Sequence, residues 1–475
     1  MSSGDGLPIP NPSLHLSAVN SVPVRPNILL VIADDHQADA IGALGPTPVH
    51  TPTLDRLVQR GTTFTRASIM GSLMPAVCAP SRACLLTGRN LFAADANPTL
   101  NCGPDFQVTL PPNATTLPQR FREVGYESFL SGKWHNDLPS LLRSFERGAA
   151  IFHGGMCDHK QVPVRDLEGV RRGVTPRVAT GFSTELFFGA AEDFLRQRDR
   201  SRPFFAWVGL TSPHDPRTPP PEFRALYDAK KLPLPENFLP DHPFDNGELG
   251  VRDEQLVDRP ISPEALREQL AAYYGMISHQ DACLGRVLEA LRETGEDRNT
   301  IVVYLSDHGL ALGRHGLVGK QNLYEHSIRV PLILSGPGIP RGVKRATLAY
   351  SFDLYATLCE LTGLRPAAEL DSRSLVPAFQ PEARATRDSL CAAYMDCQRM
   401  ATDGRWKLIL YQVGGNERHQ LFDLQTDPGE LHDVSGDPTQ RFIVERLLIT
   451  LRDWQETIGD RWMRSPLLGT AAPLA

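Results

Sequence analysis

The sequence predicts an α/β protein built on a large, mostly parallel sheet flanked by helices, and three observations carry that prediction. Short, almost uninterrupted apolar runs recur along the chain, as strands buried on both faces of a sheet require. Helical periodicity fills the intervals between them, the alternation expected of an α/β domain. Most of these runs also end in charged residues, and in such sheets ligands bind beyond the carboxyl ends of the strands.

NILLVIADDH (27–36) is the clearest strand, and TPTLDRLVQRGTTF (51–64) follows with helical spacing. YESFLSGKWH (126–135) and PFFAWVGLTSPH (203–214) read as further strands. A long helix is expected over 262–295, with Ser262 as its cap, proline at its first position and glycine at its end. TIVVYLSDHG (300–309) and VPLILSGPG (330–338) complete the strand set, and only the last lacks Asp, His or Lys at its end. Residues 213–261 are Pro-rich and acidic without periodicity, which suits a lid, a binding loop or disorder. Near residue 381 the pattern changes. RMATDGRWKLILYQ and HQLFDLQTDP read as an antiparallel meander, and TQRFIVERLLITLRDWQETIG as a closing helix. The expected division is an extended or disordered lead-in over 1–24, a large α/β domain over 25–381 and a smaller α+β subdomain over 382–475.

Composition narrows the function classes. Of 475 residues, 41% are hydrophobic and 22% charged, ordinary for a globular chain. A net charge of -6 leaves no basic surplus for nucleic acid or an anionic membrane. No apolar run approaches the ~18 residues that cross a bilayer. The first residues lack the basic and apolar regions of a signal peptide. Eight cysteines without a CxxC do not form a disulfide framework, so the expectation is reduced thiols in a cytoplasmic protein.

Chemistry gathers at the strand ends. Asp34 and Asp35 follow the first strand, and Asp307 and His308 follow the strand at 301–305; together they suit a hard divalent cation. Taken singly, such an acidic pair would more simply cap the next helix. Lys133 and His135 stand two apart in GKWH, so both can point the same way. His214 sits between prolines in SPHDP, and Lys320 lies among glycines. Together these groups offer the donors and proton carriers of an oxyanion-transfer site. Cys78, in VCAPSRACLLTGR, precedes a helix that Pro80 can start, with Arg82 one turn on. Residues alone leave it as a nucleophile, a metal ligand or buried filler. His153, Asp158 and His159, in IFHGGMCDHKQVP, either line a substrate pocket or form a structural loop. Asp281, on the apolar stripe of the long helix, reads as a buried carboxylate bonded to a neighbouring loop.

CAPSR with a downstream LLTGR resembles the signature of the type I, formylglycine-dependent sulfatases of the alkaline phosphatase superfamily. The likeness runs over roughly residues 25 to 435 and includes PNILLVIADDH, GKWH, SPHDP, SDHGLALGRHG, GKQNLYEHSIRVPLI and LFDLQTDPGELHD in family order. It implies oxidation of Cys78 to Cα-formylglycine by a formylglycine-generating enzyme, and attack by the aldehyde hydrate on a sulfate ester of a carbohydrate. It further implies Ca²⁺ held by Asp34, Asp35, Asp307, His308 and the group at position 78. Arg82 and Lys133 would stabilise the hydrate, and His135 would act as the base. His214 and Lys320 would hold the sulfate, with His214 protonating the leaving alcohol. Many sulfatases carry Asn where this chain has His308. Asp-His pairs also occur in phosphonate monoester hydrolases of the same superfamily, so Mg²⁺ or Mn²⁺ and phosphonate monoester or phosphodiester hydrolysis are the alternatives. An inactive binding protein with an unmodified Cys78 is the alternative of another class.

Overall fold

The structure is a computed structural model that describes residues 25–100, 107–380 and 385–461; the lead-in expected over 1–24 lies outside them. Its strands in chain order are β1 (Asn27–Ala33), β2 (Thr62–Ser68), β3 (Gly71–Ser72), β4 (Glu127–Trp134) and β5 (Arg147–His153). Next come β6 (Gln161–Val164), β7 (Arg177–Thr180), β8 (Phe204–Gly209), β9 (Thr300–Ser306), β10 (Leu332–Ser335) and β11 (Val343–Tyr350). The last four are β12 (Leu390–Tyr394), β13 (Gln398–Thr402), β14 (Trp406–Val413) and β15 (Asn416–Asp423). Eight of them form one sheet in the order β11-β2-β10-β9-β1-β8-β4-β5, parallel except where β10 meets β9 and β2.

The apolar runs are unbroken because both faces of this sheet are covered. Ile28, Leu30 and Ile32 of β1 face one core with Leu85 of the Cys78–Thr87 helix. Leu29, Val31 and Ala33 face the other, with Leu284 and Val287 of the Pro263–Glu293 helix. The antiparallel course of β10 also explains why its sequence ends in Gly and Pro. Its carboxyl end lies opposite the charged ends of β1, β8, β9 and β4.

The predicted helix at 51–64 is shorter in the structure, Pro52–Arg60, because Thr62, Thr63 and Phe64 enter β2. β-branched and aromatic residues in a row favour that pleated, buried surface. The helix has no cap from its own Thr51 side chain. Asp281 supplies it from the long helix, accepting the N–H of Thr53 at 2.9 Å and of Leu54 at 2.7 Å.

β15-β14-β13-β12-β3 form a second sheet, antiparallel except where β12 pairs with β3. The Arg441–Ile458 helix covers it through Leu447, Leu448 and Leu451. Strand β3 belongs to the N-terminal part of the chain, so this sheet is stitched to the segment just before Cys78. The stitch needs a glycine: Gly71 has φ +91, and a Cβ there would lie 1.9 Å from the Ala393 carbonyl oxygen. No helix among the described residues is long and apolar enough to cross a membrane. The seven described cysteines are all free.

Truncating Asp281 to Ala leaves two buried helix N–H groups bare. It should lower stability by about 1–3 kcal/mol, read as a fall in the urea midpoint, with the kcat of the folded protein unchanged.

Candidate functional site

The register of the central strands assembles the site. β1 and β9 pair with Ala33 opposite Ser306, and the Asp307 N–H donates to the Ala33 carbonyl at 3.1 Å. Asp34 and Asp307 therefore leave the sheet side by side. On the other flank of β1, the Asp34 N–H donates to the Ser212 carbonyl at 3.1 Å, which brings in the segment bearing His214. β4, next beyond β8, delivers Lys133 and His135. Gly132, at φ +84, lets that strand end run against β8; a Cβ would lie 1.9 Å from the Gly209 carbonyl oxygen.

Cys78 is the first residue of the Cys78–Thr87 helix, which begins two residues before the expected start at Pro80. Pro80 sits within the first turn, where a missing N–H breaks no helical bond. The Cys78 thiol and His135 Nδ1 are 3.1 Å apart in a buried hydrogen bond. Burial opposes a thiolate there, but Lys133 and His135, the latter also bonded to the sulfur, hold the thiol pKa well below its ordinary value.

Asp34 and Asp307 each have one oxygen bound and one bare. Lys133 Nζ donates to Asp34 Oδ2 at 2.5 Å, and Arg82 Nε donates to Asp307 Oδ2 at 2.8 Å. His308 donates from Nδ1 to the Gly309 carbonyl at 2.9 Å, so that a neutral ring presents Nε2 as the acceptor. Asp34 Oδ1, Asp307 Oδ1 and His308 Nε2 are buried without any hydrogen-bond partner. His308 Nε2 lies 3.7 Å from Asp34 Oδ1 and 3.5 Å from Asp307 Oδ1. Single ligand atoms of Asp34, Cys78, Asp307 and His308 all fall within 4.8 Å of one another. Bare acceptors in a dry site cost on the order of 1–3 kcal/mol each. One divalent cation would satisfy all three, and the donor set fits it. Burial opposes a charge on His308, yet Asp307 and Asp35 lift its pKa to about 9, so Nε2 carries a proton until a cation takes its place. A cation at the bare atoms would take over that neutralisation.

Asp35 groups instead with Asp34 and His214. Its Oδ1 accepts from Lys320 Nζ at 2.9 Å and lies 3.2 Å from His308 Nδ1. Lys320 stays charged: burial works against it, but Asp35 and Asp253 outweigh burial and raise its pKa. His214 donates from Nδ1 to the Asp215 carbonyl at 2.8 Å, leaving Nε2 for other partners.

Cys78, His135, His214 and Lys320 line one cavity of about 610 Å³. Of the three residues expected to line a substrate pocket, His153 does so. Asp158 is exposed and caps its own turn by accepting the Lys160 N–H at 2.8 Å. His159 is buried behind the cavity, where it donates from Nε2 to the His214 carbonyl at 3.0 Å. His36, beside the two aspartates in sequence, turns to Tyr304 and the Ala40 carbonyl. The cavity wall also contains Arg252, Asp253 and Gln321, which the sequence reading did not single out. Their signals were present: an RDE run inside the aperiodic insertion, and a polar neighbour of Lys320.

The chain is 24% identical over 504 residues to an N-acetylglucosamine-6-O-sulfatase of Bacteroides thetaiotaomicron, covering 92% of this chain and 87% of that protein. In shape it resembles a protein solved with its substrate D-glucosamine-2-N,6-O-disulfate, with TM-score 0.77, 22% identity and coverage of 92% and 99% of the two chains. It also resembles a phosphonate monoester hydrolase of Agrobacterium radiobacter, with TM-score 0.70, 24% identity and coverage of 90% and 96%. These two likenesses establish the fold. The C-terminal model of N-sulphoglucosamine sulphohydrolase matches residues 313–457. The sulfatase model matches residues 26–364, well over half of the sequence, and the chain belongs to the sulfatase family.

Proposed function

We propose that this protein hydrolyses a sulfate ester of a carbohydrate to alcohol and inorganic sulfate at the cavity around position 78. The observation that carries the reading is the convergence of Cys78, three bare ligand atoms and buried Lys133 and Arg82 at one sheet edge. The sugar sulfates in the names of the similar proteins support a carbohydrate as the alcohol. The chemistry belongs to residues 25–381, with 382–475 as the smaller subdomain beside them.

Asp34, Asp307, His308 and the group at position 78 would hold the cation, with Asp35 next to it; Ca²⁺ is the cation the family resemblance implies, with Mg²⁺ or Mn²⁺ as the alternatives. Once bound, the cation supplies charge neutralisation for sulfate oxygens and acidifies a coordinated hydroxyl. Formylglycine at position 78, once installed by a formylglycine-generating enzyme, would supply the nucleophilic oxygen. The remaining work falls to the chain's own side chains. Lys133 and Arg82 grip the outer oxygens of Asp34 and Asp307 and so turn the bare oxygens inward. His135, in hydrogen-bond reach of the γ atom at position 78, accepts a proton from that side chain. Lys320 holds sulfate oxygens by charge. His214, with Nδ1 tied to Asp215, delivers the proton on Nε2 to the departing alcohol oxygen.

A second reading, hydrolysis of phosphonate monoesters or phosphodiesters, draws its support from His308 beside Asp307. Under it, turnover of an aryl phosphonate monoester would exceed that of the matching aryl sulfate. Sulfatase chemistry predicts the reverse order. A binding protein with an unmodified Cys78 is disfavoured by the complete set of Lys133, His135, His214 and Lys320.

The deciding experiment is the mass of the tryptic peptide Ala67–Arg82 from protein made beside an active formylglycine-generating enzyme. The expected peptide is lighter by the exchange of thiol for aldehyde and reacts with an aldehyde probe. A persistent thiol at Cys78 would sink the mechanism. Dialysis against a chelator should abolish turnover and added Ca²⁺ restore it, while Asp307→Ala should lose at least about 100-fold in kcat in a folded protein.

A further inference from the structure

The 213–261 segment carries His214 near its start and returns to the same cavity at Arg252 and Asp253. The returning limb is a single short turn, Arg252–Gln255, and three of its side chains make directed contacts. Glu254 accepts the N–H groups of Val318 and Gly319, both at 2.8 Å, which fastens the turn to the loop bearing Lys320. Asp253 Oδ2 accepts from Gln321 Nε2 at 2.8 Å and lies 3.5 Å from Lys320 Nζ. Arg252 reaches the other way. Its Nη1 and Nη2 donate to the two oxygens of Asp215 at 2.6 and 3.0 Å, and Nη2 also donates to Asp253 Oδ1 at 2.6 Å. Asp215 Oδ1 in turn lies 3.2 Å from His214 Nδ1. An unbroken chain of charged contacts thus runs from His214 through Asp215, Arg252 and Asp253 to Lys320.

A guanidinium gripping both oxygens of a carboxylate fixes the plane of that carboxylate, which a lysine cannot do. Asp215 held in this way keeps its Oδ1 3.2 Å from His214 Nδ1, beside the Asp215 backbone carbonyl that accepts the Nδ1 proton at 2.8 Å. That directs His214 Nε2 away from its own loop and keeps the imidazole in one orientation. Asp215 and Asp253 are buried, so the carboxylate side of these contacts lies within the protein while the guanidinium reaches solvent. The Arg252 side chain is 47% exposed, so its truncation opens no core.

We propose that Arg252 is a positioning residue that locks Asp215, and through it His214, for protonation of the leaving group. The inference rests on the assignment of His214 as the acid. In that step sulfur gains a bond to the attacking oxygen at position 78 as its bond to the leaving oxygen breaks, and the electron pair of the broken bond stays on the leaving oxygen. The proton passes from His214 Nε2 to that oxygen, and a neutral imidazole remains.

The test uses formylglycine-converted, metal-loaded protein and two esters. 4-Nitrophenyl sulfate releases a phenolate that leaves unaided; 4-methylphenyl sulfate releases one that needs a proton. Arg252→Ala should lower kcat about tenfold or more on the methylphenyl ester and less than about threefold on the nitrophenyl ester. Arg252→Lys, which keeps the charge but not the fork, should follow Arg252→Ala. His214→Asn is the control and should show the same selectivity more strongly. Equal losses on both esters for Arg252→Ala, beside a selective His214→Asn, overturn the role of Arg252 alone. Equal losses for His214→Asn overturn the assignment of the acid, and the present inference with it.

Discussion

The site depends on two carboxylates that the central strand pairing forces together. β1 and β9 run parallel in a register that ends with Ala33 beside Ser306, so Asp34 and Asp307 emerge as neighbours in a dry environment. Like charges at such a distance repel strongly where water cannot screen them. Burial and Asp307 both push the Asp34 pKa up, yet Lys133, His214 and Arg82 together bring it below its ordinary value. Cations must therefore be supplied from elsewhere in the fold, and the fold supplies them.

Those cations arrive from separate elements. Lys133 comes from β4, Arg82 from the Cys78–Thr87 helix, and Lys320 from the loop before β10. Each takes one carboxylate oxygen of Asp34, Asp307 or Asp35. For Asp34 and Asp307 the second oxygen stays bare and faces His308 Nε2. Positive side chains thus both neutralise the carboxylates and aim them. The same economy holds Cys78: its helix mouth, His135 and Lys133 all favour negative charge at the γ atom. The second sheet, joined through Gly71, anchors the segment that leads into this helix.

Local chemistry was legible in the residue order wherever one short segment carried it. The apolar runs announced strands buried on both faces, and the charged residues after them marked the binding end of the sheet. The Ser262 cap and Pro263 placed the start of the long helix, and the place of Asp281 on its apolar stripe announced a buried carboxylate. Its partner, the Pro52–Arg60 helix, was visible too, but their contact spans more than 200 positions and follows no period. The aperiodic insertion gave least. Arg252 and Asp253 matter because their turn folds back onto Lys320 and Asp215, and nothing in a loop sequence encodes where it returns.

The sequence by itself determined the strand and helix alternation, the presence of a thiol at a helix mouth and the inventory of Asp, His, Lys and Arg at strand ends. These follow from periodicity and local propensity, which act over a few residues. Only the tertiary structure decided which oxygen of each carboxylate is clamped and which is bare, and why β10 lacks a charged end. It alone placed His159 behind His214 and Asp158 outside the cavity. Those outcomes depend on sheet order, strand direction and the packing of distant loops, which arise from contacts between segments far apart in the chain.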